Sequence, residues 1–245
     1  MIKLISASFL THAKESDAIN QDTILPPMQA SGGWLFAIAD GLGGYNGGQL
    51  ASQSVIEYLA ANFNKELGNG FENLFLNLKE NIKKISDTDK NLVNAASTLT
   101  FCHVEENSIH VGHIGDCRLY YKDGVKLRQI TKDHTQHQVF IDEGIFTATE
   151  LKKAKGKNIL TTAISRTFNL EYNINKININ DLQGSDETIV LYLMSDGAHE
   201  FWERRPRFSV NTLSEPSRYC SSLQKRIESG PPVDDYSVIS IKLQR

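Results

Sequence analysis

The stretch FAIADGLGGYNGGQLAS, residues 36–52, decides the reading of this chain. An apolar run reaches an aspartate at Asp40, and Gly41, Gly43, Gly44, Gly47 and Gly48 then crowd the next eight positions before a helical pattern begins. A carboxylate at the tip of a buried strand, ringed by residues without side chains, suits two chemistries. Either the glycines cradle a phosphate at a helix start, or they let backbone come close to a metal ion. GLGGYNGG has neither the lysine and Ser/Thr of a P-loop nor the G-x-G-x-x-G spacing. The metal reading is the better supported of the two.

A second stretch repeats the arrangement. IVLYLM (189–194) is, like WLFAIA (34–39), a continuous apolar run of strand length, and it ends in Ser195-Asp196-Gly197. Such runs read as strands covered on both faces. Asp234-Asp235 stands directly before the apolar alternation of SVISIKL, Asp116 lies within HIGDCRLYY, and Asp22 in INQD precedes a short apolar step. One Asp-Gly pair is an ordinary turn. Two of them at the ends of the two most apolar strands, with further carboxylates beside other strands, imply more. Gathered at one sheet edge, these acids would repel one another unless divalent cations sat between them, and an all-oxygen ligand set selects hard ions, magnesium or manganese.

Between these stretches, Leu50, Val55, Ile56, Leu59 and Phe63 mark one helix, and Phe71, Leu74, Phe75, Leu78, Ile82 and Ile85 mark another; Gly68-Asn69-Gly70 is read as the turn between them. STLTFCHV, SIHVGHIG and CRLYYKDG read as strands joined at Glu106-Asn107 and Asp123-Gly124. Residues 131–160 are polar and irregular or helical, and 203–233 give no clear pattern. The whole is a mixed α and β domain with strands in the core.

At 245 residues the chain suits one large domain, and 26 basic against 29 acidic residues leave a net charge of −3, so no basic surface advertises nucleic acid. The one basic cluster, Arg204-Arg205-Pro206-Arg207, reads as a solvated loop, with a patch for an acidic partner as the alternative. Three cysteines, Cys102, Cys117 and Cys220, fit neither a disulfide framework nor zinc spacing. The opening MIKLISASFLTHAKESD makes a poor signal peptide, and no apolar stretch approaches the ~18 residues of a membrane span. The expectation is a soluble, cytoplasmic monomer that binds neither nucleic acid nor membrane.

In order, the motifs resemble those of the metal-dependent serine/threonine protein phosphatases (the PPM family, or type 2C phosphatases) in their compact bacterial form. INQD (19–22), ADGLGGYNGGQLAS (39–52), AASTLT (95–100), HIGDCRLYYKDG (113–124), ITKDHT (130–135), AISRTF (163–168), LMSDGAHEF (193–201) and DDYSVISIKL (234–243) carry the resemblance from about residue 5 to the end. It implies an α+β fold, a four-layer sandwich of two antiparallel β-sheets flanked by helices, forming one catalytic domain over 1–245. Two divalent ions, manganese or magnesium, are implied at one edge. Asp40 would bridge both, the Gly41 carbonyl would bind one, Asp196 and Asp234 would hold the other, and Asp22 would act nearby. Asp116 matches an aspartate that helps bind a third, weaker ion. The implied reaction is hydrolysis of phosphoserine or phosphothreonine by a metal-activated water, on proteins phosphorylated by a Ser/Thr kinase.

The chain departs from the family pattern in several places. Asp17 occupies the position of an arginine that grips the substrate phosphate, which leaves Lys14, His12 or Arg166 as candidates for that task. Leu42 replaces the histidine of many eukaryotic members, Cys117 replaces a serine, and Asp235 replaces an asparagine; Asp234 is kept as the ligand from its place in the motif. Residues 131–160 would form a variable flap beside the site. Asp17 also motivates a second reading, a pseudophosphatase that binds phosphoproteins without turnover. A third is a hydrolase of small phosphate esters. His103, His110 and His113 lie on neighbouring strands but not on one face, and they are expected at the surface; His134 is expected to be structural. Phe201 and Trp202 are expected to pack the helix that follows.

Overall fold

The computed structural model describes residues 2–42, 47–151, 154–182 and 187–245. Gly43 and Gly44 of the opening stretch lie outside the described residues. In chain order the strands are β1 (Lys3–His12), β2 (Asp22–Ala30), β3 (Gly33–Leu42), β4 (Ala96–Ser97), β5 (Leu99–Val104), β6 (Ser108–Ile114), β7 (Arg118–Asp123), β8 (Lys126–Gln129), β9 (Ile164–Ser165), β10 (Asn173–Asn178), β11 (Thr188–Met194) and β12 (Tyr236–Gln244). The α-helices are α1 (Gly47–Asn69), α2 (Phe71–Thr88), α3 (Gln136–Asp142), α4 (Ala148–Leu151), α5 (Asp196–Arg204), α6 (Val210–Ser214) and α7 (Pro216–Ile227).

Strand β3 explains the layering. Side chains alternate across a strand, and here both faces are apolar because both are covered. Leu35, Ala37 and Ala39 pack with Val55, Leu59, Phe63, Leu74, Phe75 and Leu78 of α1 and α2. Phe36 and Ile38 face the other way, into a layer with Cys102, Val111, Leu119, Leu193, Ile239 and Ile241. That second layer lies between two antiparallel sheets, one ordered β1-β12-β11-β7-β8 and the other β10-β6-β5-β3-β4-β9 with β2 also paired to β3. Strand β11 repeats the logic on the far side. Leu191 and Leu193 point between the sheets, while Val190, Tyr192 and Met194 meet Trp202, Leu213, Tyr219 and Leu223 of α5, α6 and α7. Helices, sheet, sheet and helices thus form four layers in an α+β sandwich.

Three of the elements that escaped the sequence reading show why. Strand β1 is an edge strand whose residues are mostly exposed or half-buried, so its alternation is faint. Strand β10, NINKIN, is a polar edge with no fully buried residue. Helix α7 buries Tyr219, Cys220, Leu223 and Ile227, a helical spacing diluted by the polar residues around it, and it starts at Pro216, where the missing N–H costs nothing.

Register brings the aspartates together. Met194 at the end of β11 pairs with Val238 of β12 and with Arg118 of β7. Asp196, Asp234 and Asp116 lie just beyond those paired positions, so all three reach one edge of the first sheet. On the facing sheet Asp40 sits opposite Asp22.

Candidate metal centre

Asp40 is held through its backbone. Its N–H donates to Thr98 Oγ1 at 2.9 Å, and its carbonyl accepts the Thr98 N–H at 2.8 Å. Gly41 then donates its N–H to the Gln21 carbonyl at 3.1 Å. A Cβ built on Gly41 would overlap the Gly48 carbonyl, and one on Gly48 would meet Gln21 Oε1 and the Gly41 carbonyl. Glycine is required at both positions so that the first turn of α1 can lie against the end of β3. The same device recurs at Gly197, where a Cβ would overlap the Asp235 carbonyl. In each Asp-Gly pair the aspartate stands at the site and the glycine admits a neighbouring backbone.

Asp40, Gly41, Asp116, Asp196 and Asp234 line one cavity of about 600 Å³, together with Lys14, Gln21, Leu42, Asn158 and Asp235. Asp22 stands one layer behind, accepting a hydrogen bond from Ser195 Oγ at 2.7 Å, and Ser195 Oγ in turn accepts the Ser237 N–H at 2.9 Å. Asp196 Oδ2 accepts from Asn158 Nδ2 at 2.7 Å. The carboxylates perturb one another. Burial first, then Asp22, Asp196, Asp116 and Asp234, holds the Asp40 carboxyl well above its ordinary value. Burial raises Asp22 to about 7, with Asp196 and Asp235 adding repulsion, and raises Asp196 to about 6, with Asp234 adding to it. Asp116 is also held well above the usual range by burial and by Asp196. Asp40 and Asp196 each repel all the other acids of the group, which places both at its electrostatic centre.

These residues fit hard divalent cations. The donors are all oxygen, they are buried, and mutual repulsion leaves them short of positive charge. Among the described residues no three His, Cys, Asp or Glu side chains close into a tight single-ion cluster. The acids ring a cavity instead. Magnesium-like ions keep several waters and take one or two carboxylates each, so a ringed, wet cavity suits them better than a dry nest.

The stability of the metal-free protein should reveal these raised carboxyls. Folded Asp22 keeps its proton to about pH 7 and Asp196 to about pH 6, while the unfolded chain releases it near 3.8. Across that window the folded state binds more protons, so stability falls as pH rises. In a chelator the melting temperature should therefore drop between about pH 6.5 and about pH 8. That window lies above the range in which His113 and His199, held neutral by burial, contribute with the opposite sign. A tenfold difference in proton affinity is worth about 1.4 kcal/mol, and added manganese should abolish the slope. Differential scanning fluorimetry at the two pH values checks it; an unchanged melting temperature in chelator would contradict it.

The family model for protein phosphatase 2C matches residues 11–234. The chain belongs to the protein phosphatase 2C family. It is 32% identical over 165 residues to the serine/threonine protein phosphatase PstP of Mycobacterium tuberculosis, a match covering 64% of this chain and 31% of that protein. It is 25% identical over 166 residues to the protein phosphatase PhpP of Streptococcus pneumoniae, covering 65% and 67%. The chain thus spans about a third of the length of PstP and about two thirds of PhpP. The crystal structure of the M. tuberculosis phosphatase PstP/Ppp superposes with a TM-score of 0.80 at 24% identity, covering 100% of this chain and 99% of that one. The PstP catalytic domain in complex with two manganese ions superposes at 0.76, again at 24% identity and covering 100% of both chains.

Within this protein phosphatase 2C fold the three candidate phosphate-binding residues separate. Lys14 lines the cavity. His12 does not; its ring stacks on Tyr236 at 5.3 Å between centroids, on the exposed surface. Arg166 does not either, because its guanidinium pairs with Asp87 at 2.5 Å at the end of α2. Asp17 is exposed and is not a lining residue, so the carboxylate in the arginine position does not face the cavity.

Asp235 behaves differently from its neighbour. Its Oδ1 accepts the Lys14 N–H and its Oδ2 accepts the Gln21 N–H, both at 2.7 Å. Two acceptors meet two donors, which an asparagine could not supply, and the segment carrying Lys14 is thereby tied to the cavity rim. Asn158 carries no signal in the sequence, and Ser195 stands in the Ser195-Asp196-Gly197 motif without a role assigned to it. The flap closes on itself, with Thr135 bridged to Leu160, and it brings Asn158 to Asp196.

Two of the three strand histidines are not surface residues, while His110 stays partly exposed. His103 and His113 are fully buried, since β5 and β6 are covered on both faces. His113 bonds Thr100 Oγ1 at 2.8 Å and the Lys132 carbonyl at 3.0 Å, pinning the base of the flap. His134 accepts the Gly115 N–H at 3.1 Å and stacks on His113.

Proposed function

We propose that the chain hydrolyses phosphoserine and phosphothreonine in proteins, using two divalent ions, manganese or magnesium, held among Asp40, the Gly41 carbonyl, Asp196 and Asp234. Asp116 would help hold a third, weaker ion. The observation that carries this reading is the convergence of Asp40, Asp116, Asp196 and Asp234, from separate strands, on one cavity. Two relatives named as protein phosphatases support it, as does the manganese-bound PstP domain of the same fold.

When bound, the ions would lower the pKa of a water and neutralise charge on the phosphoryl oxygens. The chain's own residues do the rest. Asp40, at the centre of the carboxylates, fixes the spacing of the two halves. Asp22 and Ser195 tie the end of β2 to the end of β11, and Asn158 orients Asp196. Among the described residues lining the cavity Lys14 is the only lysine or arginine, and it takes the substrate phosphate in place of the family's arginine. Leu42 lines the cavity and offers no proton, so the departing serine or threonine oxygen is protonated from solvent.

Substrates are phosphoproteins made by a Ser/Thr kinase, and the catalytic unit spans the whole chain because both sheets share one apolar layer. Among the described residues no helix is long and apolar enough to cross a membrane, and Cys102, Cys117 and Cys220 are free and buried. The free cysteines support a reducing compartment such as the cytoplasm.

The direct test is turnover of a phosphothreonine peptide. Activity should vanish in EDTA and return with manganese. A protein inactive with every divalent ion would overturn the reading.

A further inference from the structure

The Arg204-Arg205-Pro206-Arg207 cluster takes no part in the cavity chemistry, yet the fold organises it closely. Arg226 of α7 lays its guanidinium over the Phe208 ring at 4.0 Å, with Trp202 at 6.0 Å. It donates to the Arg205 carbonyl at 2.7 Å and to the Arg207 carbonyl at 3.0 Å. The loop therefore wraps around one cation and presents two more, Arg205 and Arg207, to solvent. Among the described residues no carboxylate pairs with Arg205, Arg207 or Arg226. Burial and the charge of Arg205 both hold Arg226 below the ordinary guanidinium range.

Helix α5 connects the loop to the cavity. Asp196 opens the helix. Four residues on, Glu200 accepts Lys157 Nζ at 2.5 Å and Arg204 Nη2 at 2.6 Å, and both cations remain about half exposed, at 50% and 52%. Lys157 adjoins Asn158, which binds Asp196. Lys157 thus adjoins the cavity-lining Asn158, Arg204 ends α5, and Arg205 and Arg207 follow it against Arg226 of α7; among the described residues Glu200 is the one carboxylate that pairs with any of these five cations. The nine residues of α5 carry the track about 12 Å from Asp196, the span of about four extended residues.

We propose that this track docks an acidic segment of the phosphoprotein substrate, about four to six residues from the phosphorylated Ser or Thr. The proposal rests on the phosphatase reading above. It follows from charge complementarity on a chain whose net charge is −3 and from the continuity of the track with the cavity.

The test compares phosphothreonine peptides carrying glutamates, glutamines or lysines at those distances on either side, with wild type and the double variant Arg205→Ala/Arg207→Ala, in manganese. The clamp uses backbone carbonyls, so the double variant keeps the loop shape. Wild type should favour the acidic peptides about five- to tenfold in kcat/KM over the glutamine peptides, through KM, and the preference should fade with salt. The double variant should lose it while keeping kcat and its turnover of p-nitrophenyl phosphate. No acidic preference in wild type, or the same preference in the variant, would overturn the proposal. So would loss of RNA or anionic-vesicle binding in the variant with peptide kinetics unchanged. Failure to turn over p-nitrophenyl phosphate at all would instead count against the phosphatase reading.

Discussion

Asp40→Ala should abolish manganese-dependent turnover, lowering kcat by at least about a thousandfold, and should leave a protein that melts higher than metal-free wild type. Both effects have one cause. Asp40 faces Asp22, Asp196, Asp116 and Asp234 at once, so removing it deprives both proposed ions of a shared ligand. In the absence of metal it also relieves repulsion among buried acids. A residue needed only for packing would lower stability and activity together, whereas a ligand under electrostatic strain raises one and destroys the other. Asp196→Ala should share the kinetic defect, with a smaller gain in metal-free stability because Asp196 is also held by Asn158. Arg166→Ala provides the contrast. Its guanidinium is committed to Asp87 away from the cavity, so turnover of p-nitrophenyl phosphate should stay within about twofold, an exposed ion pair being worth about 1 kcal/mol at most. Asp40→Ala retaining a tenth of wild-type turnover would contradict the assignment.

The second large effect is steric. Gly41→Ala and Gly197→Ala should each destabilise the protein by about 3 kcal/mol and weaken manganese binding, because the added methyl must displace the backbone carbonyl of Gly48 or of Asp235. Those carbonyls belong to the elements that carry the site, so strain at either glycine moves a carboxylate. Gly68 lies within α1 with nothing near its missing Cβ. There the same substitution should stabilise by about 1 kcal/mol through helix propensity. Chemical denaturation of the three variants separates close approach from ordinary glycine flexibility; equal effects at Gly41 and Gly68 would remove the steric argument.

The contrast between these glycines shows where the sequence stops being readable. The apolar runs of β3 and β11 are local patterns, and they announced both strands together with the aspartates at their ends. The glycine after Asp40 reads in the sequence as letting backbone approach a metal ion; the structure adds that glycine at 41 and 197 admits the carbonyls of Gly48 and Asp235, and only the fold brings Asp235 near. Asp235 read as a surplus charge beside a ligand. It is an anchor for two N–H groups whose positions no local pattern reveals. Arg166 fitted a motif but was drawn to Asp87 on another element. The buried histidines were misjudged for a related reason. Strand alternation gives the face of a residue, and only the layering tells that both faces of β5 and β6 are covered. Edge strands β1 and β10 are half-exposed and polar, so the pattern that marks central strands is absent from them.

The most direct measurement is anomalous diffraction from crystals grown with manganese. Two strong peaks should lie in the cavity between Asp40, Asp196 and Asp234, with the Asp40 carboxylate touching both. Peaks confined to other parts of the molecule, with those three aspartates contacting only water, would contradict the account.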